Sequence, residues 1–241
     1  MVKIIFSAAL LFISIFSFAQ DNKVVNDKNA QKRNVSGFHA IRISNGIDLY
    51  LAQGDETVVV SASDLEVRER IKTVVENGVL KIYIENRDGF HWNWGNQHMR
   101  AYVSFKTLDN LEASGGSDVF TQGAIKADKL RVGLSGGSDF KGEVNASDLD
   151  IHQSGGSDVH ISGTVANLNI DASGGSDFHG ANLSTDFCNI DASGGSDMDV
   201  NVSKELNVSA SGGSDVHYRG SAVIRKMSTS GSSSISKKGS R

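Results

Sequence analysis

Leu168-Asn169-Ile170-Asp171-Ala172-Ser173-Gly174-Gly175-Ser176-Asp177-Phe178-His179 is the stretch that decides how this chain folds. Leu168, Ile170 and Ala172 alternate with Asn169 and Asp171, and a period of two is that of a strand with one buried face. Ser-Gly-Gly-Ser-Asp then turns the chain, and Asp177-Phe178-His179 resumes the alternation. The same pentapeptide starts at Ser114, Ser135, Ser154, Ser173, Ser193 and Ser211, at offsets of 21, 19, 19, 20 and 18 residues. A degenerate copy, Ser230-Gly231-Ser232-Ser233-Ser234, follows 19 residues later. Recurrence at a nearly fixed period marks a repeat architecture.

Gly123, Gly142, Gly163, Gly180 and Gly220 mark a second corner in each repeat, and a third short stretch such as Ala124-Ile125-Lys126-Ala127 follows. A unit of three short strands and three corners cannot bury its own apolar face. It must stack on its neighbours, each strand pairing with its counterpart one coil away. The expected fold is therefore all-β, a right-handed parallel β-helix (β-solenoid) of about 19–20 residues per rung, by the general crossover preference. Three inward columns follow from the alternation. One is Val119, Phe140, Val159, Phe178, Met198 and Val216. The second is Leu130, Leu149, Leu168, Phe187 and Leu206, and the third is Val132, Ile151, Ile170, Ile190 and Val208. Ala113, Ala172, Ala192 and Ala210 suit a narrow apex beside the corner.

Outward from these repeats the organisation reads as follows. Residues 1–19 form an export signal: Met1-Val2-Lys3, an apolar run from Ile4 to Phe18, and Ser17-Phe18-Ala19 before the cleavage point. Residues 20–34 are a flexible polar segment. Residues 35–229 form the β-helix, with 35–107 as irregular opening rungs and 108–229 as regular rungs. Residues 230–241 are a polar tail that caps the stack. Within the opening half, Ile43-Ser44-Asn45-Gly46-Ile47-Asp48-Leu49 is a diverged copy of the motif and its strand. Glu76-Asn77-Gly78 is a turn between Ile71–Val75 and Val79–Ile84. Leu65 to Thr73 reads as a short helix capped by Asp64, or as another strand.

Composition narrows the function. A formal charge of -4 supplies no basic footprint for nucleic acid. Twenty-six Gly with no Pro exclude collagen and Pro-rich disorder. Cys188 is the one cysteine, so no intramolecular disulfide forms. No apolar stretch after the signal is long enough to span a bilayer. The expected location is exported: periplasm, cell surface or extracellular.

Ser-Gly-Gly-Ser-Asp admits several chemistries. A serine nucleophile or a phosphate cradle needs one specialised site with partners, whereas this motif stands in every rung. Gly-Gly serves a tight corner, and Ser and Asp serve the turn amides. A divalent cation is the third reading. Asp118, Asp139, Asp158, Asp177, Asp197 and Asp215 fall on one edge, and each adjacent pair of like charges costs about 1 kcal/mol even in water. Hydrogen bonds, raised pKa values or Ca²⁺ must offset that row, with Asp171 and Asp191 as further ligands. His160, His179 and His217 share an outward column with Phe120, Lys141 and Asp199, the mixed make-up of a solvated face. Between Asp88 and His98, His91, Trp92, Trp94 and His98 make a loop suited either to ligand contact or to folding over the end of the solenoid.

Phe38-His39-Ala40-Ile41-Arg42-Ile43-Ser44-Asn45-Gly46-Ile47-Asp48-Leu49-Tyr50-Leu51, Asn77-Gly78-Val79-Leu80-Lys81-Ile82 and the repeats together resemble the head GIN domain family of autotransporter adhesins, over about residues 35–225. The resemblance implies a β-helix of the cell envelope and brings no catalytic residues. No translocator barrel is visible after Ser230. The expectation is thus a non-enzymatic, adhesin-like binding module whose partner is a surface glycan or protein. The alternatives are a Ca²⁺-binding assembly solenoid and a polysaccharide-active β-helix enzyme.

Overall fold

The computed structural model describes residues 27–85 and 98–239. The expected export signal and the residues His91, Trp92 and Trp94 lie outside them. Alternating side chains place the described chain almost wholly in strands: β1 (Gln31–Arg33), β2 (Ala40–Ile43), β3 (Ile47–Gln53) and β4 (Thr57–Ala62). A short helix α1 (Leu65–Arg70) leads to β5 (Ile71–Glu76), β6 (Val79–Ile84), β7 (Met99–Phe105) and β8 (Asn110–Ser114). Then come β9 (Val119–Ser135), β10 (Phe140–Gln153), β11 (Asp158–Ala172), β12 (Asp177–Ala192) and β13 (Asp197–Ala210). The chain closes with β14 (Asp215–Arg219), β15 (Val223–Thr229) and β16 (Ser234–Lys237).

Each of β9 to β13 runs from one pentapeptide to the next and bends on the way, so each is most of one coil. Neighbours pair in parallel and in near-constant register, Phe140 on Val119 and on Val159, then Phe178, Met198 and Val216. The result is a β-solenoid of about seven turns. Its leading face carries the strand halves that follow the motif, and its trailing face those that precede it. The inward columns fill the space between them, with Phe105, Phe140 and Phe178 inaccessible to solvent.

One column differs from the expectation. Phe187 is 39% exposed and Cys188 takes the inward place, paired with Leu168 and Leu206. Alternation counted back from Ile190 puts residue 188 inside, and register overrides side-chain size. The thiol is buried and its pKa is pushed far up by burial. Phe187 instead lies under the Lys204 ammonium, 5.4 Å from the ring centroid.

The two ends also differ from a plain stack. The diverged opening copy does form a coil, with β2 on β8 and β3 on β9. Above it, β4 runs antiparallel to β7 and β5 antiparallel to β6, the latter through the Asn77-Gly78 turn at φ 52° and 77°. The opening therefore combines parallel pairs, β2 on β6 and β3 on β7, with the reversed strands β4 and β5, the latter in a hairpin with β6, and a helix. Asp64 caps α1 by accepting the Glu66 amide at 2.7 Å, and the helix gives way to β5 at Ile71. Gln31–Arg33, expected to be flexible, pairs with β4. At the other end the polar tail is largely a last half-coil, because Ser230–Ser233 repeat the corner and β16 pairs with β14. Among the described residues no helix is long and apolar enough to cross a membrane.

Candidate functional site

The pentapeptide corner is built from its backbone. In the later coils the first glycine takes a left-handed conformation, φ 79° at Gly155, 83° at Gly174 and 80° at Gly194. In the first two regular corners both glycines do so, as do Asn45 and Gly46 in the opening copy. The amide after the first glycine donates to the carbonyl of the coil before: Gly175 to Gly155 at 2.8 Å, Gly195 to Gly174 at 2.7 Å and Gly213 to Gly194 at 2.6 Å. The second serine of each motif is buried completely. From Ser157 onward its hydroxyl donates to the carbonyl of the first serine, Ser176 to Ser173 and Ser214 to Ser211 at 2.8 Å each, while those of Ser117 and Ser138 accept the Ile47 and Ser117 amides. Hydroxyls held this way have no base to activate them, and amides used within the ladder cannot cradle a phosphate.

The aspartates do form a row along the leading face. Asp118 accepts the Asp139 amide at 3.2 Å, Asp139 the Asp158 amide at 3.0 Å, and Asp177 the Asp197 amide at 3.2 Å. Asp215 ends the row by accepting the Ser234 hydroxyl at 2.6 Å. Asp48 extends it upward, a member that sequence reading passed over although its diverged corner was visible. Burial, and then the neighbouring Asp118 charge, raise the Asp48 pKa; burial, and then Asp139, raise that of Asp118. Arg100 and His98 stand beside Asp48 and oppose the shift. Asp171 and Asp191 belong to the trailing face across the corner, where Asp171 lies 3.6 Å from His152. Among the described residues no three acidic or histidine side chains gather closely enough to hold a metal ion.

Next to the aspartates runs a second outward row: Tyr102, Tyr50, Phe120, Lys141, His160, His179, Asp199 and His217. Tyr50 stacks on Tyr102 and on Phe120 with centroids 5.2 Å apart in each case, and His160 stacks on His179 at 4.3 Å. The rings cover one another's faces and present their edges outward. Asp199 is held by Arg219 at 3.1 Å and Lys238 at 3.3 Å. Beyond this row the coil turns its second corner, and there the coils differ in length. Thr121, Gln122 and Gly123 stand opposite Gly142 alone, and Ile161 alone opposes Gly180 and Ala181. The unequal corners open a groove of about 820 Å³ along the solenoid, with Phe120, Lys141, Glu143, His160, Ser162 and Asn182 on its walls. The histidine column was legible in the sequence, whereas the groove was not; its only trace was the uneven spacing of the motifs.

Comparison with solved structures shows the same fold. A "putative adhesin" from Bacteroides fragilis superposes with a TM-score of 0.77 at 19% identity, covering 87% of this chain and 96% of its own. A "putative lipid binding protein" from Parabacteroides distasonis gives 0.66 at 21% identity, covering 88% and 98%. A second protein of that organism, also a "putative adhesin", gives 0.68 at 17% identity, covering 87% and 96%. No curated protein matches the sequence. The sequence profile described as "Putative auto-transporter adhesin, head GIN domain" matches residues 37–222, nearly the whole solenoid from Gly37 to the start of its last coil. With that match over most of its length, on a seven-turn solenoid of the same fold, this adhesin-like chain belongs to the head GIN domain family.

Proposed function

We propose that the chain is an exported, non-catalytic recognition module of the bacterial cell envelope, and that the groove on its leading face holds an extended polymer of a cell surface. One observation carries this reading. Of five register shifts between coils, three fall after Lys141, His160 and Gly180, at the corner that opens the groove, two fall after Thr185 and Leu206, and among the described residues none falls on the pentapeptide corner. A scaffold that holds one corner constant and varies another places its variable surface at the second. The groove runs along the axis, so successive coils offer equivalent positions about 4.8 Å apart to a repeating ligand. Its walls supply amide, hydroxyl, imidazole and ammonium groups next to Phe120. The interior is filled by side chains, which leaves the surface as the place for a ligand.

The groove's two carboxylates support a binding role over a hydrolytic one. Glycoside hydrolysis calls for a pair of carboxyl groups, one of them free to carry a proton. Here Asp199 is tied to two cations and Glu143 stands without a second free carboxylate beside it. The test is retention of the purified chain on a glycan array and on intact bacterial and epithelial cells, with the His160→Ala/His179→Ala variant in parallel. Loss of about tenfold in retention by the variant is expected, the size of a hot-spot truncation. Equal retention of both proteins, or retention of neither, would sink the assignment. Release of reducing ends from the same glycans would move the protein to the enzyme alternative.

A further inference from the structure

On the trailing face one outward row lacks a member. Arg42, Glu112, Gly133, His152 and Asp171 occupy equivalent places on successive coils. Arg42 Nε meets Glu112 Oε2 at 2.6 Å, and His152 Nδ1 faces Asp171 Oδ2 at 3.6 Å. Gly133 therefore leaves a slot between the Arg42–Glu112 ion pair and the His152–Asp171 contact. The recess there measures about 510 Å³, and the motif serines Ser135 and Ser154 stand on its rim.

The glycine has no structural reason to be there. Other glycines within β9 to β13 are each required. Gly123 and Gly163 have φ 84° and 119°, and a Cβ on Gly142 or Gly180 would run into Thr121 or Phe178 at 2.4 and 2.3 Å. Gly133 has an ordinary φ, and a Cβ on it would meet only Glu112 Cγ, at 3.7 Å, an ordinary contact. Glycine in the middle of a strand weakens it, and where neither turn nor packing demands it, close approach of another molecule is the remaining reason. The walls state the chemistry. The Arg42–Glu112 pair satisfies its own charge, and on the other side the His152 ring faces the Asp171 carboxylate, so the slot has no surplus positive charge to offer an anion. Each wall still offers both donors and acceptors at its edges, from the guanidinium and imidazole on one hand and the carboxylates on the other. The floor is a bare, flat peptide. The flanking rows lie two coil spacings apart, about 9.5 Å, with one side chain missing between them.

The geometry points to a subsite for a single neutral pyranose ring, its C–H face on the Gly133 peptide and its hydroxyls on Glu112, Arg42, His152 and Asp171. This site is separate from the groove of the leading face and stands whether or not that groove binds. Saturation-transfer NMR with D-glucose, D-galactose, D-mannose and N-acetyl-D-glucosamine, each at millimolar concentration, tests it on the full chain and on Gly133→Thr. Threonine suits an exposed strand position, so the variant should melt no lower than the parent. At least one of the sugars should give a transfer signal with the parent, and Gly133→Thr should lose it by tenfold or more. No signal from any of the four, an unchanged signal in Gly133→Thr, or, with D-glucuronate run beside them, a signal from that sugar alone overturns the subsite. So does a fall in the melting temperature of Gly133→Thr, which would return the glycine to the fold. Cell retention lost in Gly133→Thr without any sugar signal assigns the slot to a protein side chain instead, while retention lost only in the histidine variant leaves the groove in place and removes the slot.

Discussion

In the later coils the two glycines of the motif do different work. A Cβ on Gly174 would lie 2.6 Å from the Gly155 carbonyl oxygen, at φ 83°; on Gly194 it would lie 2.4 Å from that of Gly174. A Cβ on Gly175 would stand 4.0 Å from the nearest atom outside its own turn, with no unusual φ. The chain has made this second exchange once, since Ser232 follows Gly231 in the last copy. Gly174→Ala should cost about 2 kcal/mol or more, several degrees of melting temperature, whereas Gly175→Ala should stay within about 0.5 kcal/mol of the parent or exceed it. Thermal unfolding of both variants decides, and equal losses would remove the distinction. Five identical letters in six copies announce a corner, but they cannot show which glycine is needed. Only the degenerate seventh copy carried that information.

Rows of side chains across strands were partly legible. Alternation gave the interior columns because burial of one face fixes register. It failed at Phe187, where the larger apolar residue was one position out of phase. Nothing local told β4 and β5 to run backwards; Asn77-Gly78 signalled a turn, but the direction of the strands it joins depends on what they cover. The aspartate row was legible as a row, and hydrogen bonds and raised pKa values are two of the three offsets its repulsion called for. Its carboxylates accept amides from the next coil, which offsets part of their mutual repulsion. Asp48 and Asp118 still have raised pKa values. A carboxyl raised in the folded state adds stability below its unfolded value, and that contribution is lost as pH rises through the folded one. Asp48→Asn should therefore raise the melting temperature at pH 7, by about 2 °C for a chain of this size, with the Asn oxygen still able to accept the Asp118 amide. The advantage should shrink as pH falls into the carboxylate range near 4. A gain that persists unchanged at low pH would mean that charge is not its cause.

At the scale of the whole molecule, one end is closed and the other is guarded. The helix and the reversed strands β4 and β5 cover the opening coil, where Ile71, Phe105 and Leu108 are all buried. At the last coil Met227 stands in register with Val208, yet it is 48% exposed, because among the described residues no further strand pairs with β15. Arg225, Lys226, Lys237 and Lys238 line the open edges, the kind of residues that blunt edge-to-edge association. Removing Ser230 to Arg241 takes away β16 and bares Val216 and Tyr218. The shortened chain should elute as larger species in size-exclusion chromatography and melt lower, whereas an unchanged monomer would show that the last half-coil is no cap.

The corner ladder, in which Gly175 bonds Gly155 and Gly195 bonds Gly174, has its bonds aligned with the long axis. A body held at one end and pulled at the other loads these interfaces in series. Under tension it gives way one coil at a time from an end, instead of shearing everywhere at once. Each coil let go would release roughly 60–70 Å of slack at the reach of an extended chain. Held between two anchor points, a solenoid made this way yields length under drag while the remaining coils keep their shape.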